Sequence, residues 1–224
     1  MQEDYTLQNT DPEDIEDLLI KVETSFDIKF VENELAHIKT FGEMCDHITN
    51  KIQLESFNDC TTQQAFYKLR DGIAAISSYK NLDLKIDTKL FNVFPRKSRK
   101  MQIQELEEHL DMKLNLLSPP SWVTITLVIL LFGSIGMLFF KFLWGVSGVL
   151  ISMIGFNISA KIGNELDIQT IGELAQKITR DNYLKTRRKP NTFNRNEIEN
   201  ILRDLFAKEL CLDKSTLTRD ATFA

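Results

Sequence analysis

Residues 11–30 read DPEDIEDLLIKVETSFDIKF, and the apolar positions Ile15, Leu18, Leu19, Val22 and Phe26 recur at the spacing of one helix face. Asp11 suits an N-cap and Pro12 suits the first helical position. Glu13, Asp14, Glu16 and Asp17 complement the positive end of the helix dipole. A second stripe, Phe41, Met44, Cys45, Ile48 and Ile52, follows Thr40 and Glu43, which stand at capping-box spacing. A third stripe comprises Ile198, Ile201, Leu202, Leu205, Phe206 and Leu210. No isolated helix can bury such a stripe, so the pattern predicts an all-α chain of packed bundles.

The middle of the chain breaks this rhythm. Residues 122–156 are apolar apart from Lys141 and a few small hydroxyl residues. A single helix of that length would run about 50 Å at 1.5 Å per residue, against a hydrocarbon core about 30 Å thick. Two helices of about 17 residues each fit better. A transmembrane helical hairpin is therefore expected over 121–157, with Lys141 at its turn and snorkelling to the far interface. A single crossing with an interfacial extension and a buried soluble helix are the other readings. Phe139, Phe140, Phe142 and Trp144 suit a lipid-facing or interfacial belt. Arg96, Lys97, Arg99 and Lys100 stand before the segment; Lys161 and the basic block 180–189 stand after it. Positive charge on both flanks predicts that both flanks, and both termini, are cytoplasmic. The same cluster is expected to attract anionic membrane lipid.

Three pairs of stretches repeat without gaps. VETSFDIKF (22–30) matches LEEHLDMKL (106–114), and IKTFGEMCDHIT (38–49) matches IQTIGELAQKIT (168–179). LRDGIA with DTKLF (69–74, 87–91) matches LRDLFA with DATFA (202–207, 220–224).

These pieces resemble the acyl carrier protein, or phosphopantetheine-binding, family. Residues 194–223 resemble its first helix and following loop, 11–30 its second helix, and 38–52 its fourth. The resemblance implies two carrier-like bundles. One is split, from 1–55 with 191–224; the other, from 61–117 with 160–183, carries the hairpin as an insertion. In the second copy the expected helices are 63–77, about 97–110, and 169–180. The first copy is then circularly permuted around the second. Its missing helix comes from the same chain or from a second copy in a swapped homodimer; the sequence leaves both open. In the family a serine in a D-S-L motif takes the phosphopantetheine arm. Here Pro12 follows the aspartate, Arg96 stands at the matching position of the other copy, and Thr10 falls one residue before the motif. The chain thus departs from the pattern at the modified residue, and no cofactor is expected. Ser98 is the alternative attachment point, in a basic rather than acidic setting.

Charge sharpens the picture. Residues 1–55 hold fourteen acidic and four basic side chains, so nucleic acid is not an expected ligand. The acidic helix with Glu13, Asp14, Glu16, Asp17 and Glu23 is expected to dock a protein partner with a basic patch. The alternative is a plain solvated face. Cys45, Cys60 and Cys211 are widely spaced and read as reduced thiols, which fits a cytosolic setting. The polar, acidic residues 1–10 are not those of a signal peptide. His37, Cys45 and His47 do not form a metal-ligand pattern, because positions 45 and 47 diverge on a helix. No nucleophile elbow, Walker loop or dinucleotide fingerprint occurs. The sequence thus predicts a non-catalytic, membrane-anchored docking module of lipid or acyl-chain metabolism, with a bacterial inner membrane as its expected location. A working carrier modified at Ser98 and a purely structural membrane adaptor are the alternatives.

Overall fold

The computed structural model describes residues 6–76, 83–189 and 191–223. The expected segment limits at 1–5, 77 and 224 lie outside the described residues. The protein is mostly helical. Its described residues form α1 (Pro12–Phe26), α2 (Phe41–Lys51), α3 (Thr61–Ile76), α4 (Leu90–Val93), α5 (Arg99–Leu110), α6 (Ser121–Leu138), α7 (Phe142–Ile162), α8 (Ile171–Asp181), α9 (Tyr183–Thr186) and α10 (Arg195–Glu209). Strand β1 (Glu55–Ser56) pairs in parallel with β4 (Thr192–Phe193), and β2 (Leu117–Ser118) pairs antiparallel with β3 (Glu165–Leu166). The chain divides into two compact units, residues 1–73 with 172–224 and residues 74–171. This division places 61–73 and 172–183 in the first unit rather than with 74–171.

The first unit holds a core built by α1, α2 and α10. Leu18, Val22, Phe26, Phe41, Met44, Ile48, Ile198, Leu202, Leu205 and Phe206 are all at most 4 % exposed, and Ile15 and Leu19 pack against them. Phe41 and Phe206 meet edge to face with centroids 5.2 Å apart. The helix starts follow the sequence signals. The Asp11 carboxylate accepts from the Glu13 N–H at 3.0 Å, and Thr40 and Glu43 form a complete capping box. Beyond α10 the chain returns to the start of α2. There Phe41 N–H donates to Ala221 O (2.8 Å), Gly42 N–H to Arg219 O (2.8 Å), and Phe223 N–H to Lys39 O (3.0 Å). A Cβ on Gly42 would come within 2.8 Å of that Arg219 oxygen, so only glycine allows the approach. Arg219 bridges Asp46 and Glu199, both at 2.6 Å, which raises its already high pKa.

The second unit contains the two apolar helices, both long and apolar enough to span a membrane. The break between them falls at 139–141, where Lys141 stands. Their contact face is rich in small residues: Ser134, Ser152 and Ser159 are buried, while Phe132, Phe139, Phe140, Phe142 and Leu143 are exposed. A Cβ on Gly148 would lie 2.1 Å from Ser134 Oγ, and one on Gly155 would lie 2.6 Å from Leu127. The buried hydroxyls are satisfied within their own helices, Ser134 to Leu130 O at 2.7 Å and Ser152 to Gly148 O at 2.9 Å.

The sequence repeats recur as geometry. At the end of α1, Glu23 accepts from Phe30 N–H (2.7 Å) and from the Lys29 ammonium (2.6 Å). At the end of α5, Glu107 accepts from Leu114 N–H (2.6 Å) and from Lys113 (3.2 Å). Asp27 and Asp111 both turn left-handed to end these helices, with φ of 48° and 51°. The bonds that tie 221–223 to 39–41 also have counterparts: Ile171 N–H donates to Thr88 O (3.0 Å), and Leu90 N–H to Gln169 O (2.8 Å).

Candidate functional site

The acidic face begins where Asp11 and Pro12 start α1. Glu13, Asp14, Glu16 and Asp17 are all exposed and make no ion pair among the described residues. Glu23 is placed differently. Its carboxylate closes the C-terminal end of α1, and Lys29 with the Phe30 N–H holds its pKa below the usual carboxylate value. It is thus committed to a local fastening that the other four acids lack.

Beneath the first turn of α1 lies an apolar cavity of about 220 Å3, lined by Leu7, Thr10, Pro12, Ile15, Leu19, Leu35, Ile38, Met44 and Phe223. Pro12 therefore sits at its rim. Thr10, the nearest hydroxyl, is buried and donates to Thr6 O at 3.3 Å. Ser98 is half-buried, and its hydroxyl donates to the Gln102 side chain at 3.0 Å.

The basic residues beside the hairpin separate into two kinds. Arg99 is only 6 % exposed, and it donates to Phe94 O (3.0 Å) and Asn164 O (2.6 Å). Burial lowers its pKa from the free guanidinium value, yet it remains a cation buttressing the chain where the hairpin leaves. Arg96, Lys97, Lys100 and Lys161 are exposed. Arg96 pairs with Glu165 at 2.5 Å, and Asn164 donates to Arg96 O at 2.9 Å. The base of the hairpin is closed by the β2–β3 pair and by Gly163, where a Cβ would lie 2.6 Å from the Ser118 carbonyl carbon. The hairpin is thus fastened at its base, and exposed cations stand on both of its sequence flanks.

Around Glu34 the structure brings together Lys51 (2.7 and 2.9 Å) and His47 (2.8 Å). Lys51, the Val31 N–H and His47 hold the Glu34 carboxyl down at about 2. His37 lies edge-on to His47, with ring centroids 5.8 Å apart. Cys45 points into the core instead, and burial pushes its thiol up to about 12. Among the described residues no group of three or more His, Cys, Asp or Glu could hold a metal ion.

One buried polar centre escaped the sequence. The Arg187 side chain is fully buried and pairs with Asp59 at 2.5 Å, donating also to Thr61 Oγ1 (2.9 Å) and Phe57 O (3.0 Å). Glu197 accepts from the Thr61 hydroxyl at 2.6 Å, and the Tyr183 hydroxyl accepts from Asn194 N–H at 2.8 Å. Its members come from three separate stretches of chain, 57–61, 183–187 and 194–197, and only the basic run around Arg187 hinted at it. No protein-family model, curated protein or solved structure matches the chain.

Proposed function

We propose that the protein is an integral membrane protein anchored by the α6–α7 hairpin, and that it docks a partner of lipid or acyl-chain metabolism without catalysing a reaction itself. The carrying observation is the set of unpaired carboxylates Glu13, Asp14, Glu16 and Asp17 on the first turns of α1. Four uncompensated acids beside an apolar cavity suit a basic partner surface that brings an apolar group with it. The shared hydrogen bonds of the two repeats support a reading of the chain as two carrier-like units, the outer one circularly permuted. Proline at the carrier position argues for docking over phosphopantetheine carriage. Exposed Arg96, Lys97, Lys100 and Lys161 support cytoplasmic flanks against anionic lipid.

The test compares detergent extracts probed with the intact chain and with a variant carrying Glu13→Gln, Asp14→Asn, Glu16→Gln and Asp17→Asn. The intact chain should retain a lipid-metabolic protein through a salt-sensitive contact that the variant loses. Equal capture by both sinks the docking face. Co-expression with a broad-specificity carrier transferase should add no phosphopantetheine, about 340 Da. An adduct abolished by Ser98→Ala would replace docking with carriage. Reporters fused at residues 1 and 224 should both give a cytoplasmic signal.

A further inference from the structure

The first unit also contains a groove that shares no lining residue with the acidic helix. The groove, of about 960 Å3, runs between one face of α3 and the segment that follows α9, and its wall includes Phe57, Gln64, Tyr67, Lys68, Arg188 and Lys189. Cys60, Arg70 and the two carboxylates Asp59 and Asp71 complete the rim. The charge in it is unbalanced. Asp59 is already paired with buried Arg187, and Asp71 stands 3.5 Å from Arg70. Lys68, Arg188 and Lys189 have no carboxylate partner among the described residues. The chain as a whole is acidic, so this concentration of positive charge is local.

The cations are also held in place. The Lys189 ammonium sits 3.7 Å from the Phe57 ring centroid, and the Arg70 guanidinium lies 5.0 Å from that of Tyr67. The Lys68 ammonium donates to Lys185 O at 2.5 Å, and burial pulls its pKa down. The Gln64 side chain links the Asp59 carboxylate to the Arg188 N–H, bracing the two walls. Arg187 supports the same turn from beneath, so its charge serves the scaffold while its neighbours remain available.

We propose that this groove binds a phosphate-bearing ligand, with Arg188, Lys189 and Lys68 as its anion contacts and Arg70 at its edge. With Asp59 committed to Arg187 and Asp71 beside Arg70, the remaining guanidinium and ammonium groups leave the groove an excess of positive charge that a bound phosphate offsets. A forked guanidinium beside a point-charge ammonium also suits phosphate oxygens. The ligand chemistry is a phosphate monoester, whether the headgroup of an anionic lipid or a free metabolite. The proposal is independent of the carrier resemblance.

Cys60 offers the readout, because it is exposed on the groove while Cys45 is buried. The full chain, solubilised in neutral detergent with Cys211→Ser, is treated with a maleimide in the presence of glycerol 3-phosphate or water-soluble dihexanoyl phosphatidic acid. Both probes are run against sodium chloride of equal ionic strength. Saturable slowing of Cys60 modification by five-fold or more is expected with a phosphate probe. The half-protecting concentration should rise ten-fold or more with Arg188→Ala and Lys189→Ala together. Continued resistance of Cys45 confirms that the double variant is folded. Protection by glycerol 3-phosphate identifies a free phosphate ester as a sufficient ligand; protection by phosphatidic acid alone identifies a lipid headgroup. No protection by either, protection matched by chloride, or protection undiminished in the double variant overturns the proposal.

Discussion

The α1–α2–α10 core and the α6–α7 hairpin are both helical packings, yet they are inside out relative to each other. In the core, large side chains such as Phe26, Phe41 and Phe206 meet in the centre and the charges lie outside. In the hairpin, serine and glycine meet in the centre, Leu127 and Leu138 pack on the facing glycines, and the phenylalanines and most other large side chains lie outside. The difference follows from what each must exclude. Water drives large apolar groups together. In a lipid bilayer no such drive acts between helices, and close backbone approach through small residues supplies the attraction there. Ser134 against Gly148 therefore plays the part that Phe41 against Phe206 plays in the core.

The contrast can be broken most severely by removing α10. Deleting residues 194–224 strips Ile198, Leu202, Leu205 and Phe206 from the core, each worth roughly 1.5–3 kcal/mol of burial. That loss rivals the whole stability of a domain, about 5–15 kcal/mol. Hydrogen exchange should show α1 and α2 unprotected while α6 and α7 keep their protection. Slow exchange in α1 would show that its core closes without α10.

A single core cavity is the next step down. Phe206→Ala should cost about 3–5 kcal/mol in denaturant unfolding of the first unit. The hairpin should respond to the opposite change, an added side chain. Gly148→Leu should loosen it, since even a Cβ there overlaps Ser134, while Gly136→Leu should not, because Gly136 has nothing within 4 Å. Amide exchange in α6 and α7 separates the two, and equal behaviour of both variants would undo the small-residue account.

Smaller effects should be shared by the two repeats. Glu23→Gln and Glu107→Gln each weaken a carboxylate bond to a backbone N–H and should cost about 1–2 kcal/mol apiece. A cost at one site only would mean that the matched geometry is not matched in energy. The smallest effect is that of acid. Lys51, the Val31 N–H and His47 hold the Glu34 carboxyl at about 2 in the folded chain, below the 4.5 of a free glutamate. Its stabilisation is complete above the unfolded pKa and is lost as pH falls from there towards 2. Between pH 5 and 3 the denaturation midpoint should therefore fall more steeply in the intact protein than in Glu34→Gln.

Much of the helical architecture was legible because it is periodic. The stripes on α1, α2 and α10, the Asp11 and Thr40 caps and the interruption at Lys141 are local signals, and each appears in the structure. The short strands were not legible, since two residues carry no period. Arg99 looked like its basic neighbours in PRKSRK, and only its burial beneath Phe94 and Asn164 separates it from them. Glu23 looked like its acidic neighbours, although its match to Glu107 across the repeat was the available sign of a local task. The groove by Lys189 was invisible because residues 57–71 and 188–189 meet only after folding.

The placement of α10 in the chain also imposes a schedule during synthesis. About 140 residues separate Lys51, the end of α2, from Arg195, the start of α10. At roughly 5–20 residues per second, a ribosome needs about 7–30 s to make that stretch. For that interval Phe26, Phe41 and Ile48 lack the helix that completes their core, and both arms of the hairpin are made before it ends. The two apolar helices are therefore complete before the core is, and the apolar faces of α1 and α2 stay uncovered until Phe206 arrives.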